Sequence, residues 1–243
     1  MKKSFFIAAL MAATLNANAQ FEPGTFSMQI KVGLTGSQFT NAKDITLGTL
    51  QNSFDNLKGL PLDANNIALE KAATGHGLMG IDVDYQAAKW LGFSVGVDAS
   101  LVGTGWDGHK FKENGIKYKI RDPRVELTYL HLPVMAHFYV YKGLAVNGGV
   151  QFGLLTGAYQ KTTYTADGNK QFMIANFERK VKSDYENFEV SVPVGISYES
   201  TDHVVFDLHY NFGLTKVNKV ANPDGKDYKN NVLCFTIGYK FKL

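Results

Sequence analysis

The sequence runs to 243 residues, with 25 Lys and Arg against 22 Asp and Glu and a formal net charge of +3. That length suits a single domain, and so even a charge excludes a strongly basic nucleic-acid binder. A lone cysteine, Cys234, excludes an intrachain disulfide, and beyond the N-terminus no apolar run approaches the ~20 residues of a membrane-spanning helix.

The chain opens as a secretory signal peptide over residues 1–19. Lys2 and Lys3 supply the positive start, Phe5 to Ala13 the apolar centre, and Ala17-Asn18-Ala19 a small-x-small cleavage site that leaves Gln20 as the mature N-terminus. Residues 20–243 then read as one domain of strands. The first strand carries Phe26, Met28, Ile30, Val32 and Leu34, interleaved with Ser27, Gln29, Lys31, Gly33 and Thr35. Side chains alternate faces along a strand, so this spacing makes one face apolar and the other polar or small. A long connection follows, in which Leu47, Leu50, Phe54 and Leu57 recur at helical spacing until Gly59 and Pro61.

The second strand is Gly77, Met79, Ile81, Val83 and Tyr85, and the third runs from Leu91 to Leu101 with Ser94, Asp98 and Ser100 on its polar face. Thr104 to Gly115 reads as a polar loop. Ile116 to Val140 is the longest extended segment, expected to project beyond the membrane; Leu130, Leu132 and Val134 face outward, while His131, Pro133 and His137 face inward. Proline cannot donate to a ladder, so Pro133 and Pro193 each predict a local distortion. The fifth strand spans Leu144 to Leu154, and Asp167-Gly168 in the charged segment after it suggests a further hairpin turn. Strands six and seven are the hairpin from Phe188 to Thr215, and Leu233 to Leu243 is the eighth.

Connections after strands two, four and six are short, and those after one, three, five and seven are long. An even count with alternating short and long connections predicts an all-β fold, an eight-stranded antiparallel up-and-down transmembrane β-barrel in a Gram-negative outer membrane, with periplasmic termini and extracellular long loops. A soluble lipocalin-like barrel shares the period-two strands but points its apolar residues into a ligand cavity.

Three stretches carry a family likeness: Tyr129-Leu130-His131-Leu132-Pro133-Val134, the run from Asp207 to Thr215, and Gly238-Tyr239-Lys240-Phe241. They resemble the PorT-like outer membrane protein β-barrel domain family, over essentially the whole mature chain. The resemblance implies small integral outer-membrane proteins, some linked to protein secretion. It implies no catalytic residues. The family often has Glu at the position of His131 and Lys at that of His137, so the inward charges here depart from its pattern.

Asp98, His131, His137, Glu189, Asp207, His209 and Lys240, with Lys242, fall on the inward face and predict a polar network in the lumen. Eight strands leave an interior just wide enough for side chains, so these charges must pair. A proton or ion path through His131, His137 and His209 is the sharper alternative, a narrow porin-like channel. Asp207 and His209, two apart on one strand, are the nearest approach to a hydrolase pair; no catalytic, cofactor or metal residues are assigned. Lys110, Lys112, Lys117, Lys119, Arg121 and Arg124 in the third-to-fourth connection offer contact with lipopolysaccharide phosphates. Trp106, Phe111, Tyr118, Tyr159 and Tyr164 predict an interfacial aromatic belt on the same side. The function expected is structural or interaction-based, with outer-membrane lipid, lipopolysaccharide, and a secretion or surface protein as partners and no nucleic acid.

Overall fold

The computed structural model describes residues 21–54, 67–113, 115–168, 171–219 and 226–243. The expected signal peptide, and Leu57, Gly59 and Pro61 of the first connection, lie outside the described residues. Eight strands form the barrel: β1 (Phe26–Phe39), β2 (Thr74–Ala88), β3 (Leu91–Trp106), β4 (Ile116–Tyr141), β5 (Leu144–Gly168), β6 (Phe188–Glu199), β7 (Val204–Gly213) and β8 (Asn230–Lys242). Each pairs antiparallel with the next, and β8 pairs with β1 to close the ring.

Register fixes the shape. Stepping across paired residues from Phe26 through Tyr85, Phe93, Ala136, Gly148, Val194, Tyr210 and Leu233 returns to β1 at Gly36, ten residues further along. An offset of ten residues around eight strands implies a tilt of about 40° from the barrel axis.

The period-two pattern sorts the faces as the sequence predicts. Ile30, Val32, Ile81, Val95, Leu132, Val150, Ile196, Leu208 and Ile237 are exposed on the outer wall, while Gln29, Asp82, Asp98, His131, Gln151, Glu189 and Lys240 are buried inside. This inverts the lipocalin-like alternative. An apolar exterior around a polar interior is stable only with hydrocarbon outside.

At one end lie three short turns and both ends of the sheet, where the Leu243 amide donates to the Phe26 carbonyl at 3.0 Å. In the turn joining β4 to β5, Lys142 and Gly143 take φ of 37° and 87°; positive φ at both central residues matches the right-handed twist of a hairpin. At Pro133 and Pro193 the ladder lapses on one side only. Neither Leu132 and Pro133 with β3, nor Val192 and Pro193 with β5, forms a rung, yet the register is unchanged across each gap.

At the opposite end, β4 and β5 continue beyond the barrel and stay paired as far as Lys117 and Asp167, with irregularities at Arg121/Arg124 and Thr128/Tyr129. His109–Glu113 folds back on β4, and Gln171–Lys180 folds back on β5, giving a projecting four-stranded sheet. The expected polar loop from Thr104 to Gly115 is thus largely strand. Aromatic and branched residues at every second position (Phe111, Tyr118, Ile120, Tyr164) let the pleat persist there. Helix α1 (Leu47–Ser53) lies against this sheet, its amide at Thr49 capped by the Thr46 hydroxyl at 3.1 Å.

Candidate functional site

Inside the barrel, inward glycines decide which charges meet. Lys31 on β1 faces Gly80 on β2 and Gly238 on β8, so its ammonium is free to swing across the lumen. It lies 2.9 Å from Asp82 and 3.0 Å from Asp98. Those carboxylates face glycines in turn, Asp82 opposite Gly96 and Asp98 opposite Gly80, and a Cβ at either glycine would collide with the carboxylate facing it.

Gly153 works the same way between β4 and β6. It faces both His131 and Glu189, and a Cβ there would come within 2.7 Å of each. Without one, His131 Nε2 reaches Glu189 Oε1 at 3.0 Å, while Nδ1 lies 3.1 Å from the Ser100 hydroxyl. Gly195 separates Asn147 from His209. Asn147 donates from Nδ2 to Asp207 at 2.8 Å, and Asp207 is hydrogen-bonded to His209. The Asn147 oxygen then accepts from His137 Nδ1 at 3.0 Å, which leaves Nε2 as the acceptor for the Ser94 hydroxyl at 2.9 Å in the neutral ring. Nearer the short-turn end, Lys240 lies 3.2 Å from Asp84 and 3.3 Å from Glu199, and Glu199 also meets His203 at 3.0 Å.

The seven residues singled out from sequence therefore fall into four groups. His137, Asp207 and His209 share one through Asn147; His131 and Glu189 share a second; Asp98 and Lys240 belong to two others. Sequence reasoning passed over Lys31, Asp82, Asp84 and Glu199, although each occupies the polar place in its strand's alternation. Lys242 does not join them: it is exposed beyond the last inward position. Cys234 is buried and accepts from Asn211 at 3.8 Å.

Above this network the interior turns apolar. Val102, Leu127, Tyr129 and Leu155 point inward from β3, β4 and β5; Phe39 at the end of β1, and Val181 and Val217 from the long connections, pack onto them, backed by Tyr185 and Tyr228. An isolated bridge between Tyr185 and Asn218 joins two of those connections across the opening. The polar lumen below holds a cavity of only about 50 Å³, room for a few waters. Among the described residues, no group of three or more His, Cys, Asp or Glu side chains is arranged to hold a metal ion.

The projecting sheet has two unlike faces. Tyr118, Ile120 and Tyr164 turn toward Leu47, Leu50, Phe54 and Leu69 and are buried with them. Tyr118 and Tyr164 thus anchor the helix rather than join an aromatic belt, because the projecting ends of β4 and β5 place them under α1. The other face continues the outer wall. Its lowest charges neutralise one another: Glu126 accepts from Arg124 at 2.6 Å and meets Lys161 at 2.6 Å. Partial burial pushes the Glu126 carboxyl up, but hydrogen bonds from Lys161 and Arg124 outweigh it and hold the group below its ordinary value. Higher up, Lys110 stands opposite Lys119 and Lys112 opposite Lys117.

The family model described as outer membrane protein beta-barrel domain matches residues 18–219. The chain belongs to that family. No curated protein matches it. Among solved structures it is similar to Ail, the attachment invasion locus protein of Yersinia pestis (14% identity, 91% of this chain and 100% of that one, TM-score 0.38). It is also similar to Neisserial surface protein A (14% identity, 89% and 97% covered, TM-score 0.39) and to OprG from Pseudomonas aeruginosa (11% identity, 91% and 99% covered, TM-score 0.41). The family match, and not these distant likenesses, carries the assignment. A member of this family resides in the outer membrane, and the apolar wall described above is the surface that meets its lipid.

Proposed function

We propose that this protein is a non-conducting outer-membrane barrel that acts by interaction at its long-connection end. One observation carries the reading: the apolar layer of Val102, Leu127, Tyr129 and Leu155, closed over by Phe39, Val181 and Val217, stands between the polar lumen and that end. A water-filled path needs a continuous polar bore, and this interior is filled by side chains. The narrow channel is therefore the weaker reading. A hydrolase at Asp207 and His209 is weaker still, because the cavity beside them of about 50 Å³ has no space for a substrate.

In this reading the paired lumen charges lock the wall, the termini are periplasmic, and the projecting sheet stands outside the cell. The partners are outer-leaflet lipid and lipopolysaccharide, with a secretion or surface protein as a further candidate. That candidate, and the narrower PorT-like membership, rest on the three quoted motifs alone. Reconstitution into planar bilayers tests the reading. We expect no discrete conductance steps from the intact chain; reproducible steps that vanish when His131 or His137 is replaced would establish the channel instead. Protease cleavage near Asp167 in whole cells checks the orientation.

A further inference from the structure

The outward face of the projecting sheet carries a pattern that the fold does not require. Lys110, Lys112, Lys117, Lys119 and Arg121 share this face, on a strand pair in which lysine is placed opposite lysine twice. Like charges directly opposite each other on neighbouring strands destabilise a sheet. None of the five forms an ion pair with a described residue, whereas Arg124 and Lys161 on the same face are both tied to Glu126. Local desolvation, then the charges of Arg121 and Lys110, lower the Lys119 ammonium from its ordinary value, with Asp122 opposing. The five line an open groove of about 460 Å³, in which Asp167 is the only carboxylate among the described lining residues. Phe172, 67% exposed, stands at its far side.

Spacing narrows the occupant. Neighbours across the pair lie ~5 Å apart and alternate residues along a strand ~7 Å apart. A single anion reaches two of these cations, while a chain bearing several anions reaches most of them. Height narrows it further. Leu130 and Leu154 are the uppermost exposed apolar residues of β4 and β5. Lys117 is thirteen residues beyond Leu130 along β4, which at ~3.3 Å per residue and about 40° of tilt puts it roughly 30 Å above the hydrocarbon edge. That is too far for phosphates at the acyl boundary. The face is lateral, continuous with the lipid-facing wall, so what stands beside it is whatever rises from the surrounding leaflet.

We propose that this face docks the phosphorylated sugar chain of neighbouring lipopolysaccharide, its phosphates pairing with the five cations and its sugar rings lying against Phe172. This rests on the outward orientation and lipopolysaccharide partner proposed above, and names the part of that partner and the residues that hold it.

The test uses the full mature chain in lipid nanodiscs, so its failure speaks only to this site and leaves the conductance result untouched. Binding is measured for lipopolysaccharide with a phosphorylated core, the same material after phosphatase treatment, lipid A alone, and free dextran sulfate. Intact lipopolysaccharide is expected to bind at least ~10-fold more tightly than the phosphatase-treated form or lipid A, and to weaken as salt rises. The variant with Lys110, Lys112, Lys117 and Lys119 all changed to Gln is expected to lose that preference while keeping its heat-modifiable gel shift. Equal binding of lipid A, an unaltered preference in the variant, or tight dextran sulfate binding without lipopolysaccharide binding would each overturn the proposal. Loss of the gel shift in the fourfold variant moves the comparison to the double variant Lys112→Gln/Lys117→Gln, which is held to the same criteria.

Discussion

The lumen and the projecting sheet hold similar numbers of charges and treat them in opposite ways. Inside, Lys31 and Lys240 each sit between two carboxylates, His131 leans on Glu189, and His209 on Asp207. Outside, the upper cations face one another across the strand pair. Water explains part of this, since hydrated cations tolerate crowding that buried ones cannot. It does not explain why five cations there share one described carboxylate, Asp167, when Glu126 lower on the same face holds both Arg124 and Lys161. The interior pairs its charges for closure, and the exterior leaves the cations on which the proposed docking rests.

The largest effect expected from breaking this contrast is in the lumen. Lys240→Met leaves Asp84 and Glu199 buried beside each other, and should cost about 3–5 kcal/mol. The readout is the urea concentration at which the fast-migrating unboiled form disappears. Adding Asp84→Asn and Glu199→Gln should restore much of the loss, which a simple packing defect would not allow. Next in size is Gly153→Ala, which drives a methyl group between His131 and Glu189 and should destabilise by about 1–3 kcal/mol.

Glu126 sits at the junction of the two regions. Its carboxyl is held below the ordinary value in the folded state, so the stability it adds is complete above the unfolded value of about 4.3 and is lost as pH falls through the lower folded value. Limited proteolysis of the projecting sheet should therefore accelerate in that acidic range, and Glu126→Gln should remove the pH dependence while leaving the barrel's own melting unchanged. The smallest effect is outside: Lys119→Gln relieves a like-charge pair, and the rate of limited proteolysis of the projecting sheet should be unchanged or slightly lower.

The barrel was legible because period-two alternation repeats along every strand and loop lengths alternate around it. The residues Ile30, Ile81, Leu132 and Ile237 announce the wall, and the closing run from Leu233 announces the seam. The lumen was half legible. Polar parity identified Asp98, His131 and Glu189 as inward, but which charge reaches which depends on where neighbouring strands lack a side chain. Gly80, Gly153 and Gly195 carry that information only once the register is known. The apolar layer was hidden for a related reason. Val102, Leu127 and Tyr129 continue the inward parity past the point where polar residues stop, and nothing local to them marks the change. Of the projecting sheet, the long strand from Ile116 and a hairpin at Asp167-Gly168 were legible, whereas the short strand His109–Glu113 escaped notice because the turn-forming residues from Thr104 to Gly115 read as loop.

The seam between β8 and β1 has a consequence for assembly. Ser27 is hydrogen-bond neighbour to Lys242, more than two hundred residues away in the chain. Until that last strand arrives, one edge of the sheet stays unsatisfied, and an inner face bearing Lys31, Asp82 and Glu189 has no closed interior to occupy. A partial sheet cannot rest in hydrocarbon in that state. Insertion must therefore be nearly all-or-none. The final dozen residues act as a latch: a chain truncated before Leu233 should leave no smaller barrel behind, only material for proteases.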